Sequence, residues 1–198
     1  MTNSLDMIAA IQQATVDKTE TVSNLLRRCI VLAHQTNNSA LRNWAEHELN
    51  GYKTEDLVPD YRVTTSVIKG NFVGPFGSQM INFSVPPALL PADVREMAGR
   101  IEVREQIRSI EHLLESDRAA FRRSAGDLPL MLQNVLVGMT CIGAWYETTR
   151  ESLETILESA RNRILQLMLE IGSGQPSTDE LEKIVKSRLY GIDVDQVP

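Results

Sequence analysis

Apolar residues recur at threes and fours along much of the chain, and that recurrence predicts helices. Leu5, Ile8 and Ile11 mark a short first helix over residues 4–15, after which the polar, β-branched run TVDKTET breaks the period. From Val22, the positions Leu25, Leu26, Cys29, Ile30, Leu32 and Ala33 form a stripe wider than a surface helix needs, which places this helix centrally. QTNNSA is turn chemistry, and Ser39 or Asn38 can cap a third helix with Leu41, Trp44, Ala45 and Leu49 on one face. Asn50-Gly51 ends it, because glycine has no Cβ to oppose the left-handed conformation that closes a helix.

After Pro59 the period changes. YRVTTSVIK alternates Tyr61, Val63, Thr65 and Val67 on one side, the pattern of a half-buried strand, and Ile81, Phe83 and Val85 alternate in turn. The two runs are expected to pair as a hairpin across the loop GNFVGPFGSQ, with Phe72 and Phe76 packing over its open end. PPALLPADVREM returns to helix, with Pro91 in the first turn and Asp93 complementing the positive helix end. Ile107, Ile110, Leu113 and Leu114 outline another amphipathic helix, whereas SAGDLPLMLQNVLVGMTCIGAWYE reads as irregular chain plus one strand joining the sheet. Thr148 or Thr149 can cap the longest helix, whose apolar positions run from Leu153 to Ile171 and stop at Gly172. GSGQPS then reads as a linker, and Ser177 with Glu180 as a capping box ahead of Leu181, Ile184, Val185 and Leu189. The pattern as a whole predicts an α+β fold, predominantly helical: a helical bundle packed on a small antiparallel sheet. Its expected boundaries are a single domain over 1–172, a linker over 173–177 and a short terminal helix and tail over 178–198.

Composition narrows the function more than the fold. A chain of 198 residues can bury a substantial core but leaves little room for a second catalytic domain. A formal charge of -6 and only 5% aromatic residues disfavour nucleic-acid binding, which relies on a basic footprint and stacking platforms. No apolar run approaches the roughly 20 residues of a membrane span, and MTNSLDMIAAIQQ lacks the basic and apolar regions of a leader, so a cytoplasmic location is expected. Cys29 and Cys141 sit in apolar settings as buried, reduced thiols, and His34, His47 and His112 show no metal-ligand spacing. Neither a metal nor a cofactor is expected.

The runs NLLRRCIVLAH, LRNWAEHELNGY, VPDYRV, SIEHLL and AWYETTRESLETILESARNRILQLMLEI occur in this order, and with them the chain resembles the AbiTii family. Its most specific pieces are W-x-x-x-E-L-N-G-Y at Trp44 to Tyr52, V-P-x-Y-R at Val58 to Arg62, and R-N-R-I-L at Arg161 to Leu165. The resemblance covers about Leu25 to Ile171. It implies a mostly helical bacterial domain of abortive-infection and phage-defence systems, often found at the N-terminus of larger proteins, with no catalytic residues to carry over. An effector would then be a separate protein, or this chain acts alone.

Several residues invite chemistry. Arg28 and His34, in RCIVLAH, fit the arginine-to-histidine spacing of HEPN-type RNases, where the imidazole would act on a 2′-hydroxyl while the guanidinium holds the phosphate. Cys29 stands where those motifs favour a polar residue, however, and the run lies on the wide apolar helix. Arg118, Arg122 and Arg123 form the densest basic cluster and are candidates for a nucleotide signal, with a solvated face or a protein contact as the plainer reading. Arg161 could fork onto a phosphate; the plainer reading pairs Arg161 or Arg163 with Glu158 or Glu170. No Gly-rich phosphate loop or nucleophile elbow is present. The reading that follows is a non-enzymatic oligomerisation or protein-interaction module of antiphage defence. Its expected partners are further copies of itself or an effector protein, met through Leu181, Ile184, Val185 and Leu189, because short terminal helices are marginal unless docked.

Overall fold

The computed structural model describes residues 4–124, 126–174 and 178–190. In chain order these form α1 (Ser4–Val16), α2 (Val22–Gln35), α3 (Ser39–Asn50), β1 (Val63–Thr64), β2 (Val67–Val73), β3 (Gln79–Ser84), α4 (Ala92–Gly99) and β4 (Ile101–Glu102). There follow α5 (Ile107–Leu114), β5 (Ala120–Ser124), α6 (Leu128–Met131), β6 (Thr140–Thr149), α7 (Arg150–Ser173) and α8 (Thr178–Tyr190). The fold is α+β and predominantly helical, with two small antiparallel sheets.

The chain divides into two compact units. The first takes residues through Arg62, Arg104–Ser116 and Glu154 onward; the second takes Val63–Val103 and Asp117–Leu153. In the first unit the wide stripe of α2 does what its width requires, packing on α1, α3 and α5, with Leu25, Leu26, Cys29 and Leu32 buried. Thr21 caps α2 and Asn38 caps α3, each side chain accepting an amide hydrogen of the first turn. From α7, Ile156, Ala160, Ile164, Leu167 and Met168 face inward. Each fully buried aliphatic side chain contributes about 1.5–3 kcal/mol, so these interlocking stripes supply the unit's main stabilisation. Helix α8 packs on α3 through its own fully buried Val185 and Leu189.

The second unit is built on a four-stranded antiparallel sheet of order β3-β2-β6-β5, beside the two-stranded β1-β4 pair. Its core gathers Ile68, Phe72, Val94, Leu128, Leu132 and Cys141. Here the local alternation misleads by one residue. Asp60–Arg62 is a 3₁₀ turn, not the opening of a strand, and β2 turns Ile68, Gly70 and Phe72 inward, leaving Val67 exposed. Pro59 O accepts the Arg62 amide at 3.0 Å and the Asp60 carboxylate accepts the Tyr61 amide at 2.7 Å, so the turn is hydrogen-bonded before any strand can start. Strand β2 also runs further than expected, through the first part of GNFVGPFGSQ. Phe72 is therefore a core residue in a strand rather than a cover over a loop, and Gly70 leaves room for its ring: a Cβ there would lie 2.9 Å from Phe72 Cε2. The run FRRS forms the edge strand β5, paired to β6 in the register Arg122↔Glu147.

Candidate functional site

Helix α3 presents Trp44 and, one turn on, Glu48 to the interior, both fully buried. Gly51 then turns the chain with φ +86°, and the Tyr52 amide donates to Arg104 O at 2.9 Å. The 3₁₀ turn at Asp60–Arg62 brings the chain back over the same helix. There the Glu48 carboxylate is saturated: Arg62 donates from Nε to Oε1 at 2.8 Å and from Nη2 to Oε2 at 2.6 Å. The Tyr52 and Tyr61 hydroxyls each donate to Oε1 at 2.7 Å. Trp44 Nε1 donates to the Tyr61 hydroxyl at 3.2 Å, and Arg62 Nη1 donates to Glu105 O at 2.7 Å. Both charges are fully buried, which is tolerable only because pairing and hydrogen bonds replace the lost water.

The long helix closes this knot from outside. The Arg163 guanidinium lies 4.7 Å from the centre of the Tyr61 ring, donates to Asp60 Oδ1 at 2.6 Å and to Arg188 O at 2.7 Å. Two residues earlier Arg161 reaches the opposite way, donating to the carbonyls of Thr15, Asp17 and Glu20 and so fastening the joint between α1 and α2. Neither arginine takes Glu158 or Glu170 in these bonds; Glu170 accepts from Arg188 Nε at 2.9 Å. The three most specific sequence runs thus converge on one buried assembly. The run W-x-x-x-E-L-N-G-Y contains Glu48, but sequence reading gave it no role as the hub, because its counterion lies 14 residues further on.

Burial first, then the Glu48 carboxylate, pushes the Tyr52 and Tyr61 hydroxyls well above the ordinary tyrosine range. Arg62 is raised too: burial opposes its charge, but Glu48 together with Tyr61 and Tyr52 more than offsets it. Burial likewise raises Tyr146, and Tyr190 to about 12, so all four tyrosines of the chain titrate high. A free tyrosine ionises near pH 10. Because the folded values lie above that, the stability linked to these groups is present below about pH 10 and is lost as pH rises beyond it, where the unfolded chain releases protons that the folded chain keeps. The Tyr52 and Tyr61 phenolates should accordingly appear only together with alkaline unfolding; a step near pH 10 in still-folded protein larger than the other two tyrosines can give would contradict their burial against Glu48.

Other candidate residues are dispersed. Arg28 Nη2 pairs with Glu20 Oε2 at 2.8 Å, and His34 is exposed near the end of α2, about 120° around the helix from Arg28. Cys29 between them is fully buried, and burial pushes its thiol up to about 12. Cys141 is buried and raised in the same way. Neither thiol should react with an aromatic disulfide reagent at pH 8 until the protein is denatured, when both should react. Arg122 lies flat on the sheet, 4.4 Å from the centre of the Trp145 ring, with Nε 3.5 Å from Glu147 Oε2 and Nη2 donating to Asn82 at 3.1 Å. Arg123 donates to Glu102 O at 3.4 Å, and Arg118 is exposed just before β5. The basic cluster is therefore not one converging site. An apolar pocket of about 440 Å³ in the second unit is lined by Ile68, Val85, Pro87, Leu90 and Arg95 and includes none of the three arginines. Of the expected contact residues, Val185 and Leu189 are fully buried, Ile184 is half-buried and Leu181 lies in α8; Ser177 lies outside the described residues. Among the described residues, no group of three or more His, Cys, Asp or Glu is placed to hold a metal, and no helix is long and apolar enough to cross a membrane.

One surface went unread. Residues 70–92 and 128–146 contain no charged side chain, in a chain that is 23% charged, and the sheet brings them together: β2 pairs with β6 from Gly70↔Ala144 to Val73↔Thr140. Phe76 and Val137 are fully exposed there, and Leu130, Ile81 and Ile142 are also exposed. The signal was available as a simple absence of charge.

No curated protein and no solved structure matches the chain. The AbiTii family model matches residues 6–187, a span that holds the whole buried assembly from Trp44 to Arg163. The chain belongs to the AbiTii family, and that membership points to a role in abortive infection, a phage-defence strategy.

Proposed function

We propose that this protein is a non-enzymatic interaction module of an antiphage system, which assembles or regulates an effector protein. The observation that carries the reading is the charge-free end of the second unit, where Phe76 and Val137 stand fully exposed. Large exposed apolar patches on a folded domain mark contacts with other macromolecules. The reading is supported by how the polar candidates are used: Glu48 and Arg62 hold each other, Arg161 holds backbone carbonyls, and Arg28 holds Glu20.

The test is phage plaque formation on cells carrying the native locus. Phe76→Asp combined with Val137→Asp should restore plaques toward the level of cells without the locus. Arg28→Ala and His34→Ala should leave protection in place. The reverse pattern would replace this reading with the RNase one.

A further inference from the structure

We infer that the charge-free end of the second unit binds the same surface of a second copy, forming a two-fold dimer with Phe76 and Val137 at its centre. This rests on the interaction reading above and names its partner.

The first support is rigidity. Phe76 sits at φ +56°, a left-handed conformation that bulky side chains rarely take. The turn around it is closed by three bonds: the Gly74 amide to Ser78 O at 2.8 Å, the Ser78 amide to Pro75 O at 3.1 Å, and Ser78 Oγ to Pro75 O at 2.9 Å. A hydrogen-bonded turn in an unfavourable backbone conformation thus holds an aromatic ring out in water, with the backbone beneath it already fixed. Val137 is on the neighbouring loop: a Cβ at Gly74 would lie 3.4 Å from both Gly138 O and Met139 Cγ, so the two loops abut. Rigid, clustered aromatic and aliphatic anchors are what the centre of a protein contact requires.

The second support is charge. Nucleic acids and anionic membranes are met through lysine and arginine, and the two stretches contain none. The second unit carries seven basic and seven acidic side chains, so most of its surface offers charges of both signs. A face without charge is the exception, and it is complementary to itself: a two-fold axis through it brings no like charges together. Contacts between identical chains show this depletion of charge at their centre.

Sedimentation of the full chain over on the order of 1–100 µM should show the mass rising from 22.2 kDa toward twice that value. Phe76→Asp with Val137→Asp should weaken association by about a hundredfold or more while the thermal melt stays unchanged, since both side chains are already in water. As a second measurement, Val137→Cys should cross-link to itself with a short bis-maleimide in dilute solution. A wild-type monomer at every concentration, or a dimer indifferent to the double substitution and without cross-link, overturns the inference. Plaque assays separate it from the reading beneath it. A monomeric wild type whose protection is still abolished by the double substitution overturns self-association and leaves a different partner at the same patch. Loss of the dimer with protection intact confirms self-association and sinks the defence role of the patch.

Discussion

Arg62→Ala is expected to destabilise the first unit by about 3–5 kcal/mol, the range found when one partner of a buried ion pair is removed. The size follows from what is left behind. Without the guanidinium, the Glu48 carboxylate keeps only the two tyrosine hydroxyls as donors, in a site with no exposure to water. Glu48→Ala should be comparable, because it strands the guanidinium and leaves both hydroxyls without an acceptor. The informative variant is the double replacement Glu48→Leu with Arg62→Met. It removes both charges at similar volume and should recover much of the loss, although the hydroxyls remain unpaired. Urea unfolding of the wild type, Glu48→Leu, Arg62→Met and their combination gives the coupling between the two residues. Since domains are stable by about 5–15 kcal/mol, the single substitutions remove a large part of the total. If Arg62→Ala instead keeps its full stability but loses phage protection, the assembly is a functional site rather than a structural one.

Gly51→Ala is the second large effect, expected at about 2–3 kcal/mol from two separable causes. The φ of +86° is unfavourable for any residue with a Cβ, and that Cβ would lie 2.9 Å from Arg104 O. The same carbonyl accepts the Tyr52 amide, so moving it away loosens the segment that positions Tyr52 against Glu48. Gly77→Ala separates the two causes. Its φ is +77°, yet nothing lies within 4 Å of the added atom, so it should lose only the conformational part, about 1 kcal/mol. Equal losses at both glycines would show that the contact with Arg104 is not felt.

The helices were legible because their information is local. Periodicity placed α1, α2, α3, α5 and α7, and cap chemistry found Asn38, Gly51 and Thr149, the last accepting the Ser152 amide at 3.3 Å. Strand parity was not legible. Val63, Thr65 and Val67 alternate as well as Ile68, Gly70 and Phe72 do, but the run is split between two sheets, β1 ending at Thr64 and β2 starting at Val67, so one alternation does not carry through it. A pattern of period two has no memory of where it began. The site was harder still, because its defining pairs are long-range: Glu48 with Arg62, Arg163 with Asp60, and Arg161 with Thr15. The resemblance flagged Trp44, Glu48, Tyr52, Tyr61 and Arg62 without saying what joins them. The structure supplies the answer, which is a carboxylate in the middle.

The interleaving of the two units sets a timetable for synthesis. The second unit is complete once Leu153 has left the ribosome, whereas the first holds α1–α3 and α5 in waiting until Glu154 and beyond arrive with α7. Arg161 must then reach back 141 to 146 residues to fasten the joint between the first two helices. A nascent chain halted before residue 154 holds a finished second unit and four first-unit helices that still lack α7. Such a chain exposes apolar surface that α7 later covers, so the early-made unit is in place well before the first unit is closed.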